Sequence, residues 1–307
     1  YGTMLDRTQE YVFSIDPSQC LDRDDALSIT RLENNIYKIS VYITNVWIWL
    51  EYFDLWDLIG QRVSTIYFPH TKRPMLPTII GEELCSLDEN KLCFGFVMDF
   101  YVYADAISIR MHLDEPYKPT LNQCIFKVSQ NYEYEETSMK SDIQYNLLLN
   151  VTKRLDINVN DSHEVVSYWM MQMNYHVAKL LKQNEIGIFR TVQSTNSATT
   201  SSYSIMPQFV KIMEQQIRGS YQCFQKQMNF HHEMLELTEY THFTSPIRRM
   251  VDLLNQLSWM LYIIKPSDIS DKAKNFYSCQ IENIHILNEK MKSIKKVQYD
   301  CEILHKM

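Results

Sequence analysis

An α+β fold is predicted by the order in which two periodicities occur along the chain. Apolar and polar residues alternate through much of the stretch up to Leu113, and apolar residues recur at helical spacing beyond Asn131. With 45% apolar residues and only 6 Gly in 307, the chain has the material for a packed core and not for a low-complexity scaffold. Strands first and helices afterwards predict a mixed or antiparallel sheet in the N-terminal half, with helices packed on it from the C-terminal half.

Glu10 to Ile15 reads as a strand running into an acidic loop. Ala26 to Leu32 and Ile36 to Thr44 read as a hairpin around Glu33-Asn34-Asn35, because Tyr37, Ile39, Val41 and Ile43 alternate with Lys38, Ser40, Tyr42 and Thr44. From Trp47 to Val63 the period lengthens towards helical. Tyr67 to Pro77 is expected to be irregular, since it holds 3 Pro in 9 residues. Leu92 to Leu113 returns to strand character with a turn near Ala104-Asp105. Helices are predicted over Tyr134 to Leu155, Ser162 to Gln183, Met206 to Gln227, Pro246 to Ile264 and Asp271 to the end. Thr191 to Ser204, rich in Ser and Thr, is expected to be a surface loop.

A net charge of −7 has the wrong sign for gripping nucleic acid by bulk electrostatics, so any such grip needs placed Arg, Lys and aromatic side chains. The 7 scattered Cys include no Cys-x-x-Cys pair, which argues against a zinc site or a disulfide framework and for a reducing, intracellular, cytoplasmic setting. No apolar run approaches the roughly 18 residues needed to span a bilayer, so no membrane association is expected. The chain opens Tyr1-Gly2-Thr3-Met4 without an initiator Met or a secretory segment, and is expected to be a piece of a longer protein.

Two stretches carry chemistry. In Asp16-Pro17-Ser18-Gln19-Cys20-Leu21-Asp22-Arg23-Asp24-Asp25-Ala26, four carboxylates fall within 10 residues after a strand. Either this is a solvated acidic turn, or the carboxylates converge and need a positive partner, for which Mg²⁺ or Mn²⁺ suits an all-oxygen set. An EF-hand is excluded: counted from Asp22, Glu33 falls at position 12, but Leu27 stands where that loop requires Gly. In Thr241-His242-Phe243-Thr244-Ser245-Pro246-Ile247-Arg248-Arg249-Met250, Ser245 is placed as an N-cap and Pro246 as the first helical residue. Arg248 and Arg249 then occupy the first turn, where cations oppose the helix dipole but form a phosphate receptor. A structural pairing with a carboxylate is the alternative, and falls more naturally on Arg249 than on Arg248.

Together these stretches resemble the catalytic domain of the ribonuclease II and ribonuclease R (RNB) family, to which the exosome's processive nuclease also belongs. Tyr67-Phe68-Pro69, Pro74-Met75-Leu76-Pro77 and Glu82-Glu83-Leu84-Cys85-Ser86-Leu87 are similar to the family's central signature. Ser162-His163 through Met170 to Asn174, with Phe189-Arg190 after it, are similar to a further block, so the resemblance runs from about Val12 to Asp300. It implies one RNB-like catalytic domain over residues 1–307 and a metal-dependent 3′→5′ exoribonuclease that releases nucleoside 5′-monophosphates from single-stranded RNA. By position, Asp16, Asp22, Asp24 and Asp25 match the acidic residues that hold two Mg²⁺ ions. Arg248 matches the Arg at the scissile phosphate, with Arg249 beside it, and Tyr67 matches the aromatic residue that stacks on a base near the 3′ end. Protein complex partners are a further expectation.

Several positions depart from the family pattern. Gln298 stands where a Glu is common, Ser167 and Tyr168 replace acidic residues, Met250 replaces a Tyr, and Gln256-Leu257 replaces a His-Arg pair. The family's flanking oligonucleotide-binding barrels have no counterpart in the chain, so its own RNA affinity is expected to be weak. A module that keeps the fold, binds RNA or scaffolds a complex, and has lost turnover is the second expectation.

Overall fold

The N-terminal strands pair into a ring. The computed structural model describes residues 4–192, 219–267 and 269–306. Strands β1 (Leu5–Asp16), β2 (Asp25–Arg31) and β3 (Ile36–Thr44) follow in antiparallel order. Next in the chain are two short strands, β4 (Ile66–Phe68) and β5 (Thr71–Arg73), and then β6 (Leu92–Ala104), β7 (Ile109–His112) and β8 (Leu121–Glu133). The sheet order is β3-β2-β1-β8-β6-β7, and β3 also pairs with β6 along its whole length, from Ile36↔Tyr103 to Thr44↔Gly95. This closes β3, β2, β1, β8 and β6 into a barrel with β7 as an appendage. At the seam, a side chain on Gly95 would meet the Phe126 ring at 2.7 Å and the Ile43 carbonyl at 2.8 Å, so only Gly fits there.

The predicted alternation is present, and the polar face points inward. Phe13, Ile15, Leu27, Ile29, Ile39, Val41, Ile43 and Phe100 belong to the large core covered by the helices. The other face, enclosed by the ring, holds a small apolar cluster with Val12, Ala26, Tyr42, Val97, Cys124 and Phe126. Beside it runs an ionic network. The Arg7 guanidinium bonds Glu10 and, at 2.5 Å, Asp99; Lys38 donates to Glu10 at 2.8 Å and the Tyr42 hydroxyl to Glu10 at 2.8 Å.

The helices are α1 (Val46–Tyr52), α2 (Thr137–Ser141), α3 (Ile143–Leu155), α4 (Ser162–Gln183), α5 (Met250–Trp259), α6 (Asp271–Glu282) and α7 (Ile284–Lys306). Asp142, Asp161 and Ser270 cap α3, α4 and α6 through side-chain bonds to Tyr145, Glu164 and Ala273 N–H. All of α5 is buried, and two of its side-chain amides tie it to surrounding backbone: Asn255 Nδ2 bonds the carbonyls of Ile188 and His242, and Gln256 Nε2 bonds the Thr44 carbonyl. Two further strands, β9 (Ile188–Thr191) and β10 (Ser220–Cys223), pair antiparallel.

The α+β class and a mixed sheet are as the sequence predicts, and so is the β2–β3 hairpin, with Asn34 and Asn35 at φ 58° and 59° in its turn. Three expectations are corrected, and one feature goes beyond the prediction: the sheet closes, because β8 bridges β1 and β6 and β6 pairs with β3. The helix expected over Trp47 to Val63 ends at Tyr52 and is followed only by a turn at Trp56–Leu58. Tyr67 to Pro77 contains the β4–β5 hairpin, which tolerates its prolines because Pro69 lies in the turn and Pro74 follows β5. Ser220–Cys223 is a strand where helix was expected; residues 206–218 of that predicted helix, and most of the Ser/Thr-rich stretch, lie outside the described residues.

Candidate active site

The acidic loop leaves β1 at Asp16 and rejoins the barrel at Asp25, the first residue of β2. Its backbone is stitched to the segment that follows a π-helical turn, Ile79–Leu84: Leu87 N–H donates to the Arg23 carbonyl at 3.1 Å and Arg23 N–H to Ser86 Oγ at 3.2 Å. One open cleft of about 770 Å³ is lined by Asp16, Asp22, Asp24, Asp25, Tyr67, Lys72, Arg248 and Arg249 together. The four aspartates, both arginines and Tyr67, singled out from the sequence, are therefore neighbours.

Asp24 joins the two halves of the site. One of its oxygens accepts the Ile247 N–H at 2.8 Å and the other accepts Arg248 Nε at 3.1 Å. Any side chain on Gly81 would sit 3.0 Å from Ile247 Cγ2, so the π-helical turn presses directly on the residue that supplies this N–H. Burial pushes the Asp24 carboxyl up to about 7, against the pull of Arg248 and Ile247 N–H. Burial, followed by the charges of Asp16 and Asp24, holds Asp25 well above the ordinary carboxylate range, and burial also raises Asp16. Mutual repulsion of this kind is the electrostatic sign that the carboxylates share one volume.

Protein cations offset part of that charge. Lys72 Nζ lies 2.6 Å from Asp22 Oδ1 and 2.9 Å from Glu82 Oε1, and Arg23 Nε lies 3.7 Å from Asp16 Oδ2. Four carboxylates on one wall fit a hard divalent cation in donor chemistry. Among the described residues, however, no three such side chains already form a ligand set. The carboxylates lean on Lys72, Arg23 and Arg248 instead, and would have to rotate towards a common centre.

The arginines are not in a first helical turn. Helix α5 begins at Met250 with Arg249 as its N-cap, because residues 248–250 are drawn into backbone pairing with residues 63–65. Thr65 N–H donates to the Arg248 carbonyl at 3.0 Å and Met250 N–H to the Val63 carbonyl at 2.9 Å. Arg249 makes the structural pair, with Asp252 at 2.8 Å, and Arg248 also pairs, with Asp24, while keeping 45% of its side-chain surface exposed.

Tyr67 is 39% exposed on the cleft wall, and burial of its hydroxyl end pushes the phenol up to about 12. Opposite in sequence, and missed there, are Tyr134 and His163, which line the same cleft with their rings stacked at 3.7 Å and 10°. Tyr134 N–H bonds the Asp16 carbonyl at 3.0 Å, so its place just after β8 was the available signal. The Ser162 block docks on the second motif through Asn174, which bonds Tyr240, Thr244 and the Phe243 N–H. Arg190 and Gln298 are not among the residues that line the cleft. Arg190 is buried behind it, with its guanidinium 5.0 Å over the Tyr221 ring, and Gln298 is half-buried on α7.

Fold and site together define a closed barrel whose acidic loop faces an arginine-bearing turn across one cleft, and comparison makes the family explicit. The RNB domain model matches residues 5–142 and 119–265, and the chain belongs to the RNB domain family. Ribonuclease R of Chlamydia pneumoniae is 25% identical over 79% of this chain and 45% of its own length. The chain thus spans about half the length of the curated relatives it matches. Apo Mycoplasma genitalium RNase R superposes with a TM-score of 0.75 at 17% identity, over 97% of this chain and 57% of that one, and has also been solved with ribose-methylated single-stranded RNA. Yeast Ssd1, described as a pseudonuclease, superposes with a TM-score of 0.69 at 14% identity, over 97% of this chain and 44% of its own. Among the described residues, no helix is long and apolar enough to cross a membrane.

Proposed function

We propose that this chain is the catalytic domain of a Mg²⁺-dependent 3′→5′ exoribonuclease that hydrolyses single-stranded RNA to nucleoside 5′-monophosphates. One observation carries the reading: the backbone and guanidinium of the second motif converge on Asp24 of the first, 223 residues away, at the wall of one cleft. Kinship with ribonuclease R, and the RNA complex of the Mycoplasma enzyme, support RNA as the polymer.

Asp16, Asp22, Asp24 and Asp25 would hold the metal, as two ions of Mg²⁺ or Mn²⁺. Bound there, the ions supply Lewis-acid stabilisation of the phosphoryl charge and activation of the attacking water. Arg248 spends Nε on Asp24 and one Nη2 hydrogen on Ser245 Oγ, which fixes its plane and leaves its other N–H groups to bind a non-bridging phosphate oxygen. Arg249, tied to Asp252, adds positive potential from behind. Tyr67 stacks on a base near the 3′ end, worth about 1–3 kcal/mol and indifferent to sequence. Tyr134 and His163 give the cleft a second aromatic wall.

The test is digestion of 5′-labelled single-stranded RNA in Mg²⁺. A ladder that shortens from the 3′ end, and is absent with Asp24→Asn, is the expected result. Intact RNA under these conditions rejects catalysis, and a DNA strand of the same sequence tests whether the sugar is read. The second reading is an RNA-binding or complex-scaffolding module without turnover. It is favoured by the protein cations that already engage Asp16, Asp22 and Asp24, by the placing of Gln298 away from the cleft and by the likeness to Ssd1. RNA that is retained but uncut in Mg²⁺ is its signature.

A further inference from the structure

Lys72 occupies an unusual position. Its ammonium bridges Asp22, at 2.6 Å, and Glu82, at 2.9 Å, and these carboxylates come from two separate segments, the acidic loop and the Ile79–Leu84 turn. All three side chains are largely shielded, with 26% exposure for Lys72, 10% for Asp22 and 15% for Glu82. Lys72 is also the cross-strand partner of Tyr67 in the three-residue β4–β5 hairpin. The same ion pair therefore neutralises a carboxylate of the metal set and ties the hairpin bearing Tyr67 to the acidic loop.

An ammonium has no lone pair and cannot share a metal's coordination sphere, whereas it competes directly for the carboxylate oxygen. A cation that takes Asp22 Oδ1 must first displace Lys72. We propose that Lys72 is an internal counter-ion that stands in for metal at Asp22 and latches the Tyr67 hairpin closed, so that metal binding at Asp22 releases the latch. This rests on the metal-site reading above, but not on turnover. In the metal-free protein Lys72 keeps Asp22 and Glu82 from repelling one another. When metal binds, Lys72 retains Glu82 and yields Asp22, and the hairpin loses its tie to the acidic loop while the Thr65–Arg248 main-chain bond keeps its base in place. Metal affinity is set lower than the bare carboxylates would give, and the hairpin's freedom depends on metal.

The experiment titrates MnCl₂ into wild type, Lys72→Met and Lys72→Arg, following free Mn²⁺ by electron paramagnetic resonance and thermal stability with and without the ion. Lys72→Met is expected to bind Mn²⁺ about fivefold more tightly, the scale of one partly shielded ion pair. It is also expected to melt at lower temperature than wild type without metal and to gain more on adding it, while Lys72→Arg stays near wild type. Equal or weaker Mn²⁺ binding by Lys72→Met overturns the latch, and continued RNA digestion by wild type then leaves the nuclease reading intact. Tighter binding by Lys72→Met with no digestion by wild type keeps the latch and rejects the nuclease. Absence of Mn²⁺ binding in all three proteins overturns both.

Discussion

Two ionic clusters hang on the same barrel, and they differ in balance. Inside the ring, Glu10 and Asp99 meet Arg7 and Lys38, two acids against two bases. At the cleft, Asp16, Asp22, Asp24, Asp25 and Glu82 meet Arg23, Lys72 and Arg248, since Arg249 is taken up by Asp252. The electrostatic outcome is opposite. For Glu10, burial works to raise the carboxyl, but hydrogen bonds from Lys38, Arg7 and Tyr42 outweigh it and hold it below its ordinary range. For Asp24 and Asp25, burial wins and the carboxyls are held up. A balanced cluster closes on itself and holds a fold together, whereas a surplus of one sign beside a cavity is a standing demand for a ligand of the other.

That contrast breaks first at Asp24. Asp24→Asn is expected to cut RNA hydrolysis by about a thousandfold or more, the scale of losing a group that organises the reacting charges, while the urea midpoint moves little. A collapse of stability that tracks the loss of activity would mean the cleft is structural too. Glu10→Ala should do the reverse. It leaves Lys38 without its carboxylate and Arg7 with Asp99 alone, at about 3–5 kcal/mol in urea melts, and the protein that remains folded should digest RNA at the wild-type rate. Tyr67→Ala is expected to weaken binding of a 3′-tailed RNA by about 1–3 kcal/mol without altering Mn²⁺ affinity. A change in both would couple the aromatic wall to the acids more closely than drawn here.

The smallest effect is a pH dependence. Glu10 has a folded-state value below its unfolded one, so its stabilisation is complete above about 4.5 and is lost as pH falls through the folded value. The stability gap between wild type and Glu10→Gln should accordingly be widest near neutrality and narrow below pH 4.5. A gap that stays constant across that window would show that the carboxylate is not the source.

What could be read from sequence was local or tied to a motif. The β2–β3 hairpin follows from alternation over adjacent residues, α4 matches its predicted limits of Ser162 and Gln183, and the acidic loop announces itself by charge. Closure of the barrel was hidden because it depends on β8, whose Asn122, Gln123, Lys127, Gln130 and Asn131 dilute the pattern and whose partner β1 lies more than a hundred residues upstream. The start of α5 was misplaced for a similar reason. Ser245-Pro246 has the local signature of a helix start, and a distant segment, residues 63–65, overrides it. Lys72 belongs to no signature at all, and only the position of Asp22 and Glu82 in space gives it meaning.

The pairing of residues 63–65 with 248–250 has one more consequence. It joins, through main chain alone, the strand that carries Tyr67 to the turn that carries Arg248. Under the proposed chemistry, the span between the clasped base and the phosphate under attack is a ruler built from peptide bonds. Exchanging either side chain changes how firmly the end of a strand is gripped, while the length of each bite stays the same.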